Sequence, residues 1–297
     1  TTDSNGIQGV TGNEYVLSIQ TADGNSYESE AVTLNPVPEI ERIYAEYKEI
    51  FSFDQGKMVD GIEINLDTKP WDPEKKYYLK WDYEETWVVF PKWRAKNFDY
   101  QPCWNIEYNP SIILQNSSDY TSNQLKSFPL AEYKKNNYKL AEVYSILVTQ
   151  QSLNSSSYQF WEMVKESSQE NGSIFDNVPF NPQSNIYSCD ENGTNVFGYF
   201  DAIGVAQKRA YFESPIQGVE FVNYYETCNC DFEVMNIADY YESYHYGEAY
   251  ILWEDIGSPD TMDLAFTYDL KCIDCSVFST TNEKPSFWEY TLAYDIK

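Results

Sequence analysis

The sequence predicts a mainly β chain, a sandwich of half-buried strands that carries one inserted amphipathic helix and ends in a loop-rich, crosslinked cap. Three observations predict it. Segment after segment alternates apolar and polar residues with the period of two that lays one face of a strand on a core. A single stretch, about 155–171, changes to helical spacing. Four of the six cysteines gather late in the 297 residues, as Cys228-x-Cys230 and Cys272-x-x-Cys275.

The elements follow in order. From Glu14 to Leu34 the chain reads as a hairpin: Tyr15, Leu17 and Ile19 alternate, Ala22-Asp23-Gly24-Asn25 turns the chain, and Tyr27 starts the return. Two strands bury too little to stand alone. They are expected either to finish a small N-terminal sandwich or to pair with the main body. Pro36-Val37-Pro38 breaks the pattern and marks a boundary.

Strands are then predicted from Ile40 to Tyr47 and from Gly61 to Asp67, where Ile62, Ile64 and Leu66 share a face. A third runs from Lys76 to Phe90, with Tyr77, Leu79, Trp81 and Tyr83 opposite Tyr78, Lys80, Asp82 and Glu84. Turn chemistry at Lys69-Pro70-Trp71-Asp72-Pro73 separates the last two. This part reads as an immunoglobulin-like or fibronectin-like sandwich.

Pro91 to Trp104 is aromatic and irregular. Strand character resumes from Ser111 to Gln115 and from Tyr138 to Leu153, where Val143, Ser145, Leu147 and Thr149 oppose Tyr144, Ile146, Val148 and Gln150. Asn154 or Ser155 then caps the helix, Tyr158, Trp161, Val164 and Lys165 recur at spacings of three and four, and Gly172 stops it. Pro179 and Pro182 keep the following chain extended. Ile186 to Cys189 and Val196 to Phe200 flank Asp190-Glu191-Asn192-Gly193, a hairpin signal, and a strand continues through Val205 to Phe212. Beyond Pro215 tyrosines crowd between the cysteine groups with little periodicity. Three units are therefore expected: 1–36 as the end of an N-terminal β-sandwich, 37–214 as the main β-rich domain with its helix, and 215–297 as the cysteine-containing cap.

Composition bounds the function. With 47 acidic against 20 basic residues the net charge is -27, which repels a phosphate backbone, so nucleic acid is not an expected partner. No apolar run approaches the roughly 20 residues that span a bilayer, and no signal-peptide pattern opens the chain. The opening Thr1, polar and turn-like, suggests a processed or truncated product. The even cysteine count suits an oxidising compartment and disulfides. The four grouped cysteines also resemble a zinc site, although Cys-x-Cys fits less well than a second Cys-x-x-Cys, and a redox role lacks the βαβ pattern around Cys272.

Catalytic motifs are scarce. A single histidine, His245, excludes most His-dependent triads, and no Gly-rich phosphate loop, GxSxG or HExxH occurs. Glu84 with Glu85, or Glu254 with Asp255, are adjacent on strands and so point to opposite faces. No enzyme activity, cofactor or metal is expected. Binding is the better reading, with Trp87, Trp93, Phe98, Tyr100 and Trp104 as the aromatic surface on which a glycan or peptide could stack, against the plainer alternative of core packing.

Several stretches taken in order carry a family resemblance: TADGNSYESEAVTLNPVPEIERIYAEY, YYLKWDYEETWVVFPKW, the Cys103-Trp104 pair, YSILVTQQSLNSSSYQFWEMV, GSIFDNVPFNPQSNIYSC, VFGYFDAIGVAQKRAYF, and CIDC followed by KPSFW. Together they resemble the Bacteroidetes family known as domain of unknown function 4249, over nearly the whole chain from Glu14 to Trp288. The resemblance implies an outer-membrane lipoprotein, exposed at the cell surface, anchored through an N-terminal lipidated cysteine that this chain lacks. It implies a TonB-dependent outer-membrane β-barrel as partner, and other surface lipoproteins besides. It implies no catalytic residue. The sequons at Asn116, Asn154, Asn171 and Asn192 then read as polar turns, and Asp260-Thr261-Met262 resembles an O-glycosylation site at Thr261. For the cysteines, Cys103 is expected to pair with Cys189, and Cys228 and Cys230 with Cys272 and Cys275 in an order left open.

Overall fold

The structure is a computed structural model and describes residues 8–95, 99, 101–171, 184–190, 196, 198–224, 230–236, 239, 250–254, 263–267 and 269–289. The N-terminal hairpin forms as four short strands, β1 (Glu14–Tyr15), β2 (Ser18–Gln20), β3 (Ser26–Ser29) and β4 (Val32–Thr33). β1 pairs with β4 and β2 with β3. The break between the two ladders is filled by the Leu17 N–H, which donates to Ser29 Oγ at 2.9 Å.

Two antiparallel sheets follow. β5 (Ile40–Ser52), β6 (Lys57–Thr68) and β10 (Phe128–Lys134) form one, in the order β10-β6-β5. β7 (Tyr78–Val89), β8 (Cys103–Tyr108), β11 (Val143–Leu153) and β13 (Gly204–Glu213) form the other, in the order β13-β11-β7-β8, with β9 (Ile113–Asn116) also on β7. The chain changes sheet between β6 and β7, between β9 and β10, and between β10 and β11. Three strands facing this second sheet make the immunoglobulin/fibronectin-like sandwich. Its interior holds Ile62, Ile64 and Leu66 against Leu79, Trp81, Ile146 and Val148, all fully or almost fully buried. Trp81 stacks on Phe128 at 4.4 Å, and its Nε1 donates to Gln150 Oε1 at 2.9 Å, so the one polar atom of the largest core ring is satisfied.

β5 and β6 run longer than the alternation suggested. β10 pairs with β6 only from Gly61 to Leu66, so the far end of the β5–β6 hairpin passes its neighbour and leaves Phe51, Phe53 and Met58 exposed. β8 and β10 are strands the sequence did not announce.

The helix α1 (Ser155–Asn171) starts where expected, with the Ser157 N–H donating to Asn154 Oδ1 at 2.8 Å. Tyr158 is buried against Tyr78 and Leu114, while Trp161 is only half-buried and lies 4.8 Å from Lys80 Nζ. Gly172 lies outside the described residues. Among those residues no helix is long and apolar enough to cross a membrane.

The first arm of the expected hairpin across Asp190–Gly193 takes another partner, and residues 191–195 and 197 lie outside the described residues. β12 (Ile186–Ser188) adds to β3 of the N-terminal hairpin, giving a sheet of order β12-β3-β2. Residues 196 and 198–200 form no strand. The Asn185 side chain stands in for the lost partner, donating from Nδ2 to the Phe200 carbonyl and accepting the Phe200 N–H on Oδ1, both at 2.8 Å. A Cβ at Gly204 would stand 2.5 Å from the Asn35 carbonyl, so glycine there lets the exit of the hairpin run against the start of β13.

The late region contains β14 (Glu233–Asn236), β15 (Tyr250–Glu254) and β16 (Asp263–Thr267), in the order β14-β16-β15. The segment 269–289 then folds back onto β8: the backbones of Trp104 and Thr281 exchange hydrogen bonds at 2.8 and 3.0 Å. That return overturns the partners expected for Cys103 and Cys275, while Cys230 with Cys272 is one of the expected bonds. Cys103, the first residue of β8, bonds Cys275 and not Cys189, and Cys230 bonds Cys272. Cys189 directly follows β12, the strand that joins the N-terminal hairpin, and is an exposed free thiol. Cys228 lies outside the described residues.

Candidate functional site

The aromatic surface read from the sequence is not a surface at two of its five positions. Trp87 and Trp104 are 1% and 3% exposed. Trp87 sits under Lys139 Nζ at 4.7 Å, and Trp104 packs edge-on against Trp288 at 6.3 Å. Both belong to β strands whose second face is covered, Trp104 by the returning C-terminal segment. Trp93 is half-buried, edge-on to Phe232 at 5.4 Å, with its backbone N–H donating to the Cys272 carbonyl. Phe98, Tyr100, Thr261 and His245 lie outside the described residues.

The adjacent acids on β7 do point apart. Glu84 faces outward and pairs with Arg209 at 2.9 Å. Glu85 points into the sandwich, where its Oε1 accepts from the hydroxyls of Tyr133 at 2.6 Å and Tyr144 at 3.0 Å, and its Oε2 from Lys139 Nζ at 2.9 Å. Burial, with the Glu85 charge beside it, pushes the Tyr133 and Tyr144 hydroxyls well above the ordinary tyrosine range and Tyr83 up to about 12. Lys139 is opposed by burial but raised on balance by Glu107 and Glu85. Each carboxylate oxygen is satisfied from within, which makes this a structural lock and not a reactive pair. Among the described residues no three His, Cys, Asp or Glu side chains gather as a metal site.

An open cleft lies elsewhere, between the N-terminal hairpin, the first turns of α1, and Ser184, Asn185 and Tyr199. It has two lobes of about 400 and about 390 Å³ that share Glu30, Ser156 and Tyr199. Gln159, Phe160 and Met163 of α1 wall one lobe together with Ser184 and Asn185. Val32, Thr33, Asn35, Asn154 and Ser155 wall the other.

Three distant parts of the chain hold these walls by hydrogen bonds. The Glu30 N–H donates to the Asn185 carbonyl at 2.8 Å. Asn154 Nδ2 donates to Asp201 Oδ1 at 2.9 Å, and the Tyr199 hydroxyl to Asn154 Oδ1 at 3.4 Å. Ser184 Oγ donates to the Gly198 carbonyl at 2.8 Å. The Phe160 and Tyr199 rings lie 5.1 Å apart at an interplanar angle of 30°. Beneath them burial pushes the Asp201 carboxyl up, an effect that the Ser157 hydroxyl and the Ala202 N–H partly offset.

The sequence reading named Asn154 as a cap but placed no ligand near it. The missing information is the pairing of β12 with β3, which carries Ser184 and Asn185 to Glu30 and which no local pattern encodes.

Fold and cleft together define a β-sandwich protein with a polar groove at the head of its inserted helix. Residues 1–209 match the family described as domain of unknown function 4249, and the chain belongs to that family. The matched region contains the hairpin, α1 and every described residue that lines the cleft. No curated protein and no solved structure matches the chain.

Proposed function

We propose that the protein is a non-catalytic accessory lipoprotein of a TonB-dependent outer-membrane transporter, held at the cell surface by a lipid anchor, where it helps capture or gate a nutrient. The observation that carries this reading is the open two-lobed cleft, whose lobes of about 400 and 390 Å³ fall within the roughly 300–1,000 Å³ of small-ligand sites. Its walls are pinned in place before any ligand arrives, which lowers the cost of ordering on binding. The outer-membrane placement draws on what the family resemblance implies, and the barrel partner draws on the same source. The single histidine of the sequence supports a non-catalytic role.

Solubilising outer membranes in mild detergent and isolating the tagged native protein tests the partnership. Co-purification with a β-barrel is the expected result. Recovery as a free monomer overturns it.

A second reading, a structural subunit of an outer-membrane surface assembly without a ligand of its own, is supported by the hairpin tip. Phe53 there is 86% exposed, with Phe51 edge-on to it at 5.1 Å and Met58 paired opposite Phe51. Phe51→Ser with Phe53→Ser tests the tip, since loss of the barrel assigns it to assembly, and a ligand that still binds this variant overturns the ligand-free reading.

A further inference from the structure

We infer that the cleft at the head of α1 is a binding site for a neutral oligosaccharide of two or three units. The inference rests on the reading of this protein as a ligand-capturing module, and it concerns the cleft alone.

The free polar groups set the chemistry. Glu30, Gln159 and Thr33 line the lobes and carry no side-chain hydrogen bond among the described residues. Asn154 and Asn185, by contrast, are fixed by bonds to Ser157, Asp201 and Phe200, so rigid walls surround three uncommitted groups. Carboxylate, amide and hydroxyl together offer both donors and acceptors, as adjacent sugar hydroxyls require. The neighbouring Phe160 and Tyr199 rings supply an apolar wall for the C–H face of a pyranose.

Charge disfavours an anionic ligand. An anion would meet the Glu30 carboxylate at the junction of both lobes on a chain of net charge -27. A neutral ligand escapes that penalty. The shared Glu30, Ser156 and Tyr199 make the lobes continuous, so one ring in each is the natural occupancy. An extended peptide would gain most from an open strand edge, and β3, which ends one residue before Glu30, is paired on both sides by β2 and β12.

The test is saturation-transfer NMR on the full chain with maltotriose, cellotriose and xylotriose, and with sialyllactose and trialanine as the charged and peptide comparators. Transfer to at least one neutral trisaccharide is expected. Exposed Gln159→Ala, which leaves the core untouched, should weaken that binding about three- to tenfold, the effect of removing one hydrogen-bonding side chain. No transfer to any of the three neutral sugars overturns the inference, as does transfer confined to sialyllactose or trialanine. Neutral-sugar binding unchanged in the Glu30→Ala, Gln159→Ala double variant overturns it too, by placing the sugar elsewhere. Sugar binding without a co-purifying barrel would leave the inference standing and overturn the transporter partnership instead.

Discussion

Glu84 and Glu85 are neighbours on β7 with opposite fates. The strand period turns one toward Arg209 and solvent and the other toward two tyrosines and Lys139. An inward carboxylate is tolerated because both of its oxygens are hydrogen-bonded and Lys139 balances its charge. Glu85→Ala would strand two buried hydroxyls and half of the partnership of Lys139. It should cost about 3 kcal/mol, the low end for breaking a buried pair, measured as the shift of a urea unfolding curve.

The same cluster sets an alkaline limit. Burial and the Glu85 charge hold Tyr83 up at about 12 in the folded chain, against 10.0 ordinarily, and Tyr133 and Tyr144 are raised in the same sense. Up to about pH 10 these groups are protonated in both states and stability is unaffected by them. Above that the unfolded chain releases protons that the folded chain retains, so stability falls as pH rises through about 10 to 12. Urea midpoints at a series of pH values should show this fall, and Tyr83→Phe should reduce it.

At the scale of elements, α1 was legible because its signals are local: a cap residue, a period, a length. Asn154 caps it and also holds Asp201 and Tyr199 at the cleft. Asn154→Ala should therefore lower stability by about 1–2 kcal/mol, at or above the usual loss of an N-cap, read as a drop in Tm, and should loosen the cleft at the same time. Trp161 reads as a core residue by spacing, yet the ring is only half-buried, with Lys80 Nζ 4.8 Å from its centroid.

Two strands escaped the pattern for identifiable reasons. β10 contains Pro129, which breaks strand character in sequence. It is tolerated because β10 is an edge strand and its register shifts between Pro129 and Ala131. β8 shows no clean alternation because Cys103, Trp104 and Asn105 are all buried, one face by the sandwich and the other by the 269–289 segment.

Across the whole molecule the disulfides and the cleft depend on the same kind of event, a late segment returning to an early one. Cys103 and Cys275 are 172 residues apart, and their bond fixes the C-terminal segment over β8. Replacing both with serine should cost about 2–4 kcal/mol, as loss of a disulfide commonly does. Limited proteolysis should show the first new cleavage within 269–289 while the sandwich persists.

The sequence by itself determined the mainly β class, the sandwich-like alternation, the place and cap of the helix, the opposite orientation of adjacent carboxylates and the family. All but the family rest on residues within one or two turns or strand repeats of each other, where side-chain period and backbone propensity act, and the family rests on the order of many such stretches along the chain. Only the tertiary structure decided that Trp87 and Trp104 are core, that Cys103 meets Cys275, that β12 joins the N-terminal hairpin, and that Glu30, Gln159 and Tyr199 face one groove. Each of these is a contact between segments far apart in sequence. Such contacts are set by which faces remain to be covered once the local elements have formed, and no single stretch of sequence carries that information.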